Sequence, residues 1–180
     1  MVRSVALFAH IVGMLVLFVG LAFEWVSLHS IRRSATPAQV DPWVEVLRAL
    51  PKFTVAAVGV TVISGLYLAT RVGVLGLGWV RVSFGSMIVM AILGGPVVRS
   101  KIRALLHAGA DTDGQTMAAT PQRVAAHPLL RASLRTRVAV ALTIVYLMIL
   151  KPDLGESLLL IGAALATGAA SSLPYVVEKP

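Results

Sequence analysis

Apolar and polar positions alternate along this chain in long blocks rather than in short periods. Five blocks approach the roughly 20 residues that a helix needs to cross a hydrocarbon core: Ser4–Leu28, Phe53–Thr70, Trp79–Val98, Leu134–Leu150 and Leu158–Val177. Most lysines and arginines fall in the gaps between them. The pattern predicts an all-α fold, a membrane helix bundle of about five transmembrane helices forming one domain over residues 1–180. The fourth block is the weakest, because Arg135 and Arg137 leave only Val138–Leu150 free of charge. It spans if those arginines snorkel to the headgroups. Otherwise the fourth and fifth blocks form one re-entrant hairpin and one span.

The gaps carry structure of their own. After the first block, Asp41-Pro42 reads as an N-cap followed by proline at the first helical position. Trp43, Val44, Val46, Leu47 and Leu50 then make an apolar side beside Glu45 and Arg48. The segment predicts a short amphipathic helix in the membrane interface, ended by Pro51. The loop over residues 99–133, with its small, polar, proline-broken ADTDGQTMAATPQ, is expected to be mobile and cytoplasmic. Internal repeats are not evident. Gly94-Gly95-Pro96 is the one interrupted helix end, without the counterpart that a transporter built from two halves requires.

Composition supports the membrane reading. Of 180 residues, 57% are hydrophobic and 13% charged, about half the charge of a soluble domain. The net charge of +8 raises nucleic acid as a partner, but the charges sit between apolar blocks without interleaved aromatics. We therefore expect no nucleic acid and a lipid bilayer instead. The five-span model puts twelve lysines and arginines on one side and four on the other. The richer side is the cytoplasmic one, so the amino terminus is expected outside and the carboxyl terminus inside. The first block exceeds the apolar length of a signal peptide, and no A-x-A-like site follows it. It is expected to be retained.

Few residues inside the blocks can carry chemistry. His10 lies about 9 Å below the outer boundary at 1.5 Å per residue, and Met14 shares its face one turn on. The same topology places Met87 and Met90 near mid-membrane and sends the fourth span outward through Tyr146 and Met148. A histidine and several methionines facing one outer-half cavity would suit copper(I), or haem iron. The plainer alternative is that methionine fills core gaps and histidine hydrogen-bonds a neighbouring helix. A proton-handling role is the third.

Glu24, near the cytoplasmic end of the first span, is a functional candidate as an intramembrane acid. It can equally reach headgroup water or pair with Arg32 or Arg33. Arg81, after Trp79 at the outer edge, is placed to bind lipid phosphate or a carboxylate such as Asp153. Trp25, Trp79, Tyr67 and Tyr175 fall where interfacial anchors belong.

Small residues recur at four-residue spacing: Ala57, Thr61 and Gly65 in span two, and Gly162, Ala166 and Ala170 or Ala164, Gly168 and Ser172 in span five. Such faces pack helices within one chain or join two copies in a homo-oligomer. With no cysteine, disulfides, thiolate metal sites and a cysteine nucleophile are excluded. The chain has no phosphate-binding G-x-x-x-x-G-K, H-E-x-x-H or G-x-S-x-G motif. DTDG lacks the remaining ligands of a calcium loop. A hydrolase is not expected.

The stretches ALFAHIVGMLVLFVGLAFEW, ISGLYLAT, GWVRVSFG and SLRTRVAVALTIVYLMILKPDL resemble a group of uncharacterised bacterial integral membrane proteins. That group is distantly similar to copper-resistance D (CopD-type) membrane proteins. The resemblance implies a multi-pass protein of the bacterial inner membrane. In the copper-linked relatives, polar and sulfur-bearing helix residues are thought to handle metal, a role that carries over only to His10 and Met14. Three readings follow. The first is a non-enzymatic scaffold or accessory subunit. The second is a redox or metal protein holding copper or haem at His10, with Met14 and Met87 as further candidate ligands. The third is a small proton-linked transporter using His10 and Glu24.

Overall fold

A computed structural model describes residues 1–94 and 119–171. It contains α1 (Val2–Arg33), α2 (Pro37–Val72), α3 (Gly78–Gly94), α4 (Ala119–Ala125), α5 (Pro128–Leu150) and α6 (Leu154–Ala170), with no strand among the described residues. The fold is thus an all-α membrane bundle, with five apolar helices and the short α4. Three helices are long and apolar enough to cross a membrane: α1, α2, and α5 with its lead-in from Pro121. The described parts of α3 and α6 are apolar and 17 residues each, about 25 Å at 1.5 Å per residue.

Local chemistry sets the helix ends. Thr36, extended at φ −127°, precedes Pro37 in the first turn of α2, where proline gives up no hydrogen bond. At its other end Gly73 takes the left-handed conformation, φ 76°, that only glycine adopts without strain. The turn from α5 to α6 bends through Lys151, also left-handed at φ 53°. Asp153 then caps α6, its Oδ1 accepting from the Glu156 N–H at 2.8 Å.

The amphipathic segment departs from expectation. Pro42 and Pro51 both lie inside α2, and the helix runs through them into the second span. Pro51 deprives the Leu47 carbonyl of its partner, yet neighbouring packing holds the helix together. Leu47 and Val40 are almost fully buried, sharing one core with Leu28, Ile31 and Leu130. The apolar side of this segment therefore packs on the end of α1. Asp41 is not the cap; Thr36 is.

The polar connection was also expected to be loop from 99 to 133. Its last part is helical, as α4 and the start of α5, with His127 capping α5 ahead of Pro128. Residues 95–118, which include Gly95-Pro96 and the DTDG stretch, and residues 172–180, with Ser172, Tyr175 and Val177, lie outside the described residues. The fourth apolar block becomes α5, whose 23 residues make about 35 Å of helix, long enough to cross a membrane.

Two antiparallel hairpins, α1–α2 and α5–α6, provide most of the packing. α3 lies across α5 and α6, α1 meets α5 between the hairpins, and α2 scarcely touches α3. Small residues make the close approaches. A Cβ on Gly13 would fall 3.1 Å from the Thr61 nitrogen and 3.2 Å from the Ala57 carbonyl oxygen; one on Gly78 would fall 2.7 Å from the Leu154 nitrogen. The small face of α2 at Ala57, Thr61 and Gly65 is therefore occupied by α1. On α6, Ala164 and Gly168 are buried, with Gly168 against Thr136, whereas Gly162, Ala166 and Ala170 are exposed. Phe8, Ile63, Ile149 and Leu159 point outward, as helices solvated by lipid require.

Candidate functional site

His10 stands where α1 crosses the glycine and hydroxyl face of α2. Gly65 leaves room for the ring: a Cβ there would lie 2.9 Å from His10 Cε1. The Thr61 carbonyl is 2.9 Å from His10 Nδ1. A carbonyl only accepts, so Nδ1 carries the proton, an assignment made from the geometry. Ser64 Oγ, 3.4 Å from Nδ1, donates to the Val60 carbonyl at 2.5 Å. His10 Nε2 is left with its lone pair and no hydrogen bond among the described residues.

Beside it lies a cavity of about 290 Å³. It opens where α2 and α3 scarcely touch, with α5 as its far wall. His10, Met14, Met87 and Met148 all border it, together with Phe18 and Phe84. Met90 is buried elsewhere in the core, and Tyr146 points outward. Two of the cavity's lining residues hold buried polar atoms without a partner among the described residues, Thr61 Oγ1 and Trp79 Nε1. The site thus combines an imidazole oriented by a backbone carbonyl, as a hydrogen bond at the other ring nitrogen orients metal-binding histidines, with soft sulfur and apolar walls. No cluster of three or more histidine or carboxylate groups suited to a metal occurs among the described residues. A metal at His10 would depend on thioether sulfur, which favours copper(I). The volume is at the lower end for ligand pockets, so a bare ion or a single ring fits better than a porphyrin.

Glu24 belongs to a different construction. Arg137 Nη1 donates to its Oε2 at 2.9 Å and Arg137 Nη2 to its Oε1 at 2.5 Å. Arg137 Nε also donates to the Ser133 carbonyl at 3.3 Å, and a Cβ on Gly94 would lie 3.1 Å from Nη1. Both partners are buried, Arg137 at 3% exposure. Two expectations are corrected here. Glu24 is not paired with Arg32 or Arg33, and Arg137 does not snorkel. A bidentate carboxylate within reach satisfies the guanidinium inside the bundle. Arg135 does turn outward, donating to the Ser171 carbonyl near the described end of the chain.

His10 and Glu24 are fourteen residues apart on α1, about 21 Å, so they do not form one site. Arg81 is exposed and is in no ion pair among the described residues. Asp153, its expected partner, caps α6 instead. Arg137, the partner of Glu24, was hidden in the sequence. Its one signal was a second arginine inside an apolar block already weakened by Arg135. Trp79, placed as an anchor, also has an indole N–H buried beside the cavity.

No curated protein and no solved structure matches the chain. A family model described as "Predicted integral membrane protein (DUF2269)" matches residues 4–152. That covers α1 to α5 and the turn beyond, including His10, the methionines of the cavity and the Glu24–Arg137 pair. The chain belongs to the DUF2269 family of predicted integral membrane proteins.

Proposed function

We propose that this chain is a non-enzymatic, multi-pass scaffold or accessory subunit of the bacterial cytoplasmic membrane. The observation that carries this reading is a set of interior polar groups that tie pairs of helices together. Glu24 and Arg137 join α1 to α5. Ser133 Oγ joins α5 to α3, donating to the Leu93 carbonyl at 2.8 Å. His10 joins α1 to α2. Interhelical bonds of this kind hold membrane bundles together.

A second reading is supported by the free Nε2 of His10 facing a cavity that Met14, Met87 and Met148 also border. In this reading the protein holds copper, in line with its resemblance to CopD-type proteins, and haem is disfavoured by the volume. One experiment separates the two: an absorption spectrum and metal analysis of the purified protein, for wild type and His10→Ala. The scaffold reading expects no Soret band and no stoichiometric copper, with a loss of stability alone in the variant. Copper at one per chain, lost in His10→Ala, would replace it with the second reading.

Orientation and self-association belong to the same proposal. The amino terminus lies outside, and any dimer uses the exposed Gly162, Ala166 and Ala170 face of α6. Because the chain has no cysteine, single substitutions test both. Lys151→Cys should react with an impermeant thiol reagent from outside the cell, and Ala166→Cys should give a disulfide-linked dimer. Labelling of Lys151→Cys only after lysis would reverse the orientation, and a monomer from Ala166→Cys would remove the dimer.

A further inference from the structure

A second cleft, unrelated to His10, lies where the end of α1 meets α4 and the start of α5. Its volume is about 60 Å³, and Trp25, His29, Arg32, Arg131 and Arg135 border it. Four of those five side chains are basic. None of the three arginines is in an ion pair with a carboxylate among the described residues: Glu24 is taken by Arg137 and Glu45 by Arg48. Arg131 Nε is buried there with no hydrogen-bond partner among the described residues. A buried N–H of a charged group left without an acceptor is costly, and an anion in the cleft would satisfy it.

We infer that this cleft binds the phosphate of an anionic phospholipid. A void of about 60 Å³, where one water needs roughly 10–15 Å³ on the same measure, admits a phosphate group while the rest of the molecule stays outside. Trp25, half exposed beside the cleft, falls at the end of the first apolar block, where aromatic side chains mark the headgroup level. Basic pockets between helices at that level suit anionic headgroups. Arg131 holds the phosphate oxygens from within, and Arg32 and His29 close over it from α1. The inference stands apart from the scaffold and copper readings, which concern other residues.

The test uses the full chain in neutral detergent, with bound lipid counted by native mass spectrometry. Phosphatidylglycerol should bind at least about fivefold more tightly than phosphatidylcholine, the scale of one surface arginine. Arg131→Gln and the exposed Arg32→Gln should each weaken phosphatidylglycerol about fivefold. Arg48→Gln removes the same charge away from the cleft and should change nothing. Equal binding of the two lipids would overturn the inference. So would an equal loss in Arg48→Gln, which would reduce the effect to net charge. Displacement of the lipid by millimolar inorganic phosphate would assign the cleft to a soluble anion instead.

Discussion

α1 carries two ionisable residues inside its apolar run, His10 and Glu24, and the bundle treats them oppositely. Glu24 is consumed: both its oxygens accept from Arg137, and both partners are buried among packed helices. His10 is half used, with one nitrogen bonded to the Thr61 carbonyl and the other free beside a cavity of about 290 Å³. In sequence they looked alike, as lone polar residues inside a span. The difference lies in what faces them. Opposite Glu24 stands a guanidinium whose fork matches a carboxylate. Opposite His10 stand small side chains and a gap between α2 and α3. A fully satisfied buried pair is a fastening; a half-satisfied group beside a void has capacity left for a ligand.

The largest effect that would break this comparison comes from the fastening. Arg137→Ala leaves Glu24 buried without its partner, and removing one member of a buried pair costs about 3–5 kcal/mol. Resistance of the purified protein to unfolding by sodium dodecyl sulfate should fall accordingly. The double substitution Glu24→Leu with Arg137→Met should recover most of the loss, since well-packed apolar residues replace buried pairs at little cost. If Arg137→Ala unfolded no more easily than wild type, the pair would not hold α1 to α5. An equally unstable double variant would give the charges a role beyond fastening.

How far the sequence discloses this depends on the range over which each feature is determined. Apolar runs are local, so the five apolar helices and the polar segments between them could be read directly. The small faces were legible as close-packing surfaces, but not which helix each would meet. The Glu24–Arg137 pair joins residues 113 apart, and nothing local distinguishes Arg137 from Arg135, which bonds the Ser171 carbonyl instead. Pro51 misled for a related reason. Its local rule ends helices, yet α2 continues because Val40 and Leu47 are buried on the end of α1. The meeting of His10 with Met14, Met87 and Met148 was anticipated from helix direction and depth. The cavity itself follows from how little α2 and α3 touch, which no run of residues encodes.

A smaller substitution sharpens the other half of the comparison, because it disturbs His10 without touching it. Gly65→Ala would place a Cβ 2.9 Å from His10 Cε1 and 3.1 Å from Nδ1, closer than packed atoms normally sit. The ring must turn or withdraw by a few tenths of an ångström, stretching its bond to the Thr61 carbonyl. Alanine is also a better helix former than glycine by about 0.8–1.0 kcal/mol, which offsets the strain. Stability should therefore change little, whereas the His10 ring resonances in a selectively labelled sample should shift. If the second reading holds, copper retention should fall in the same variant while resistance to unfolding stays near wild type. Unmoved ring resonances would mean that Gly65 does not confine the imidazole, and that the orientation of Nε2 toward the cavity is not set by the crossing of α1 and α2.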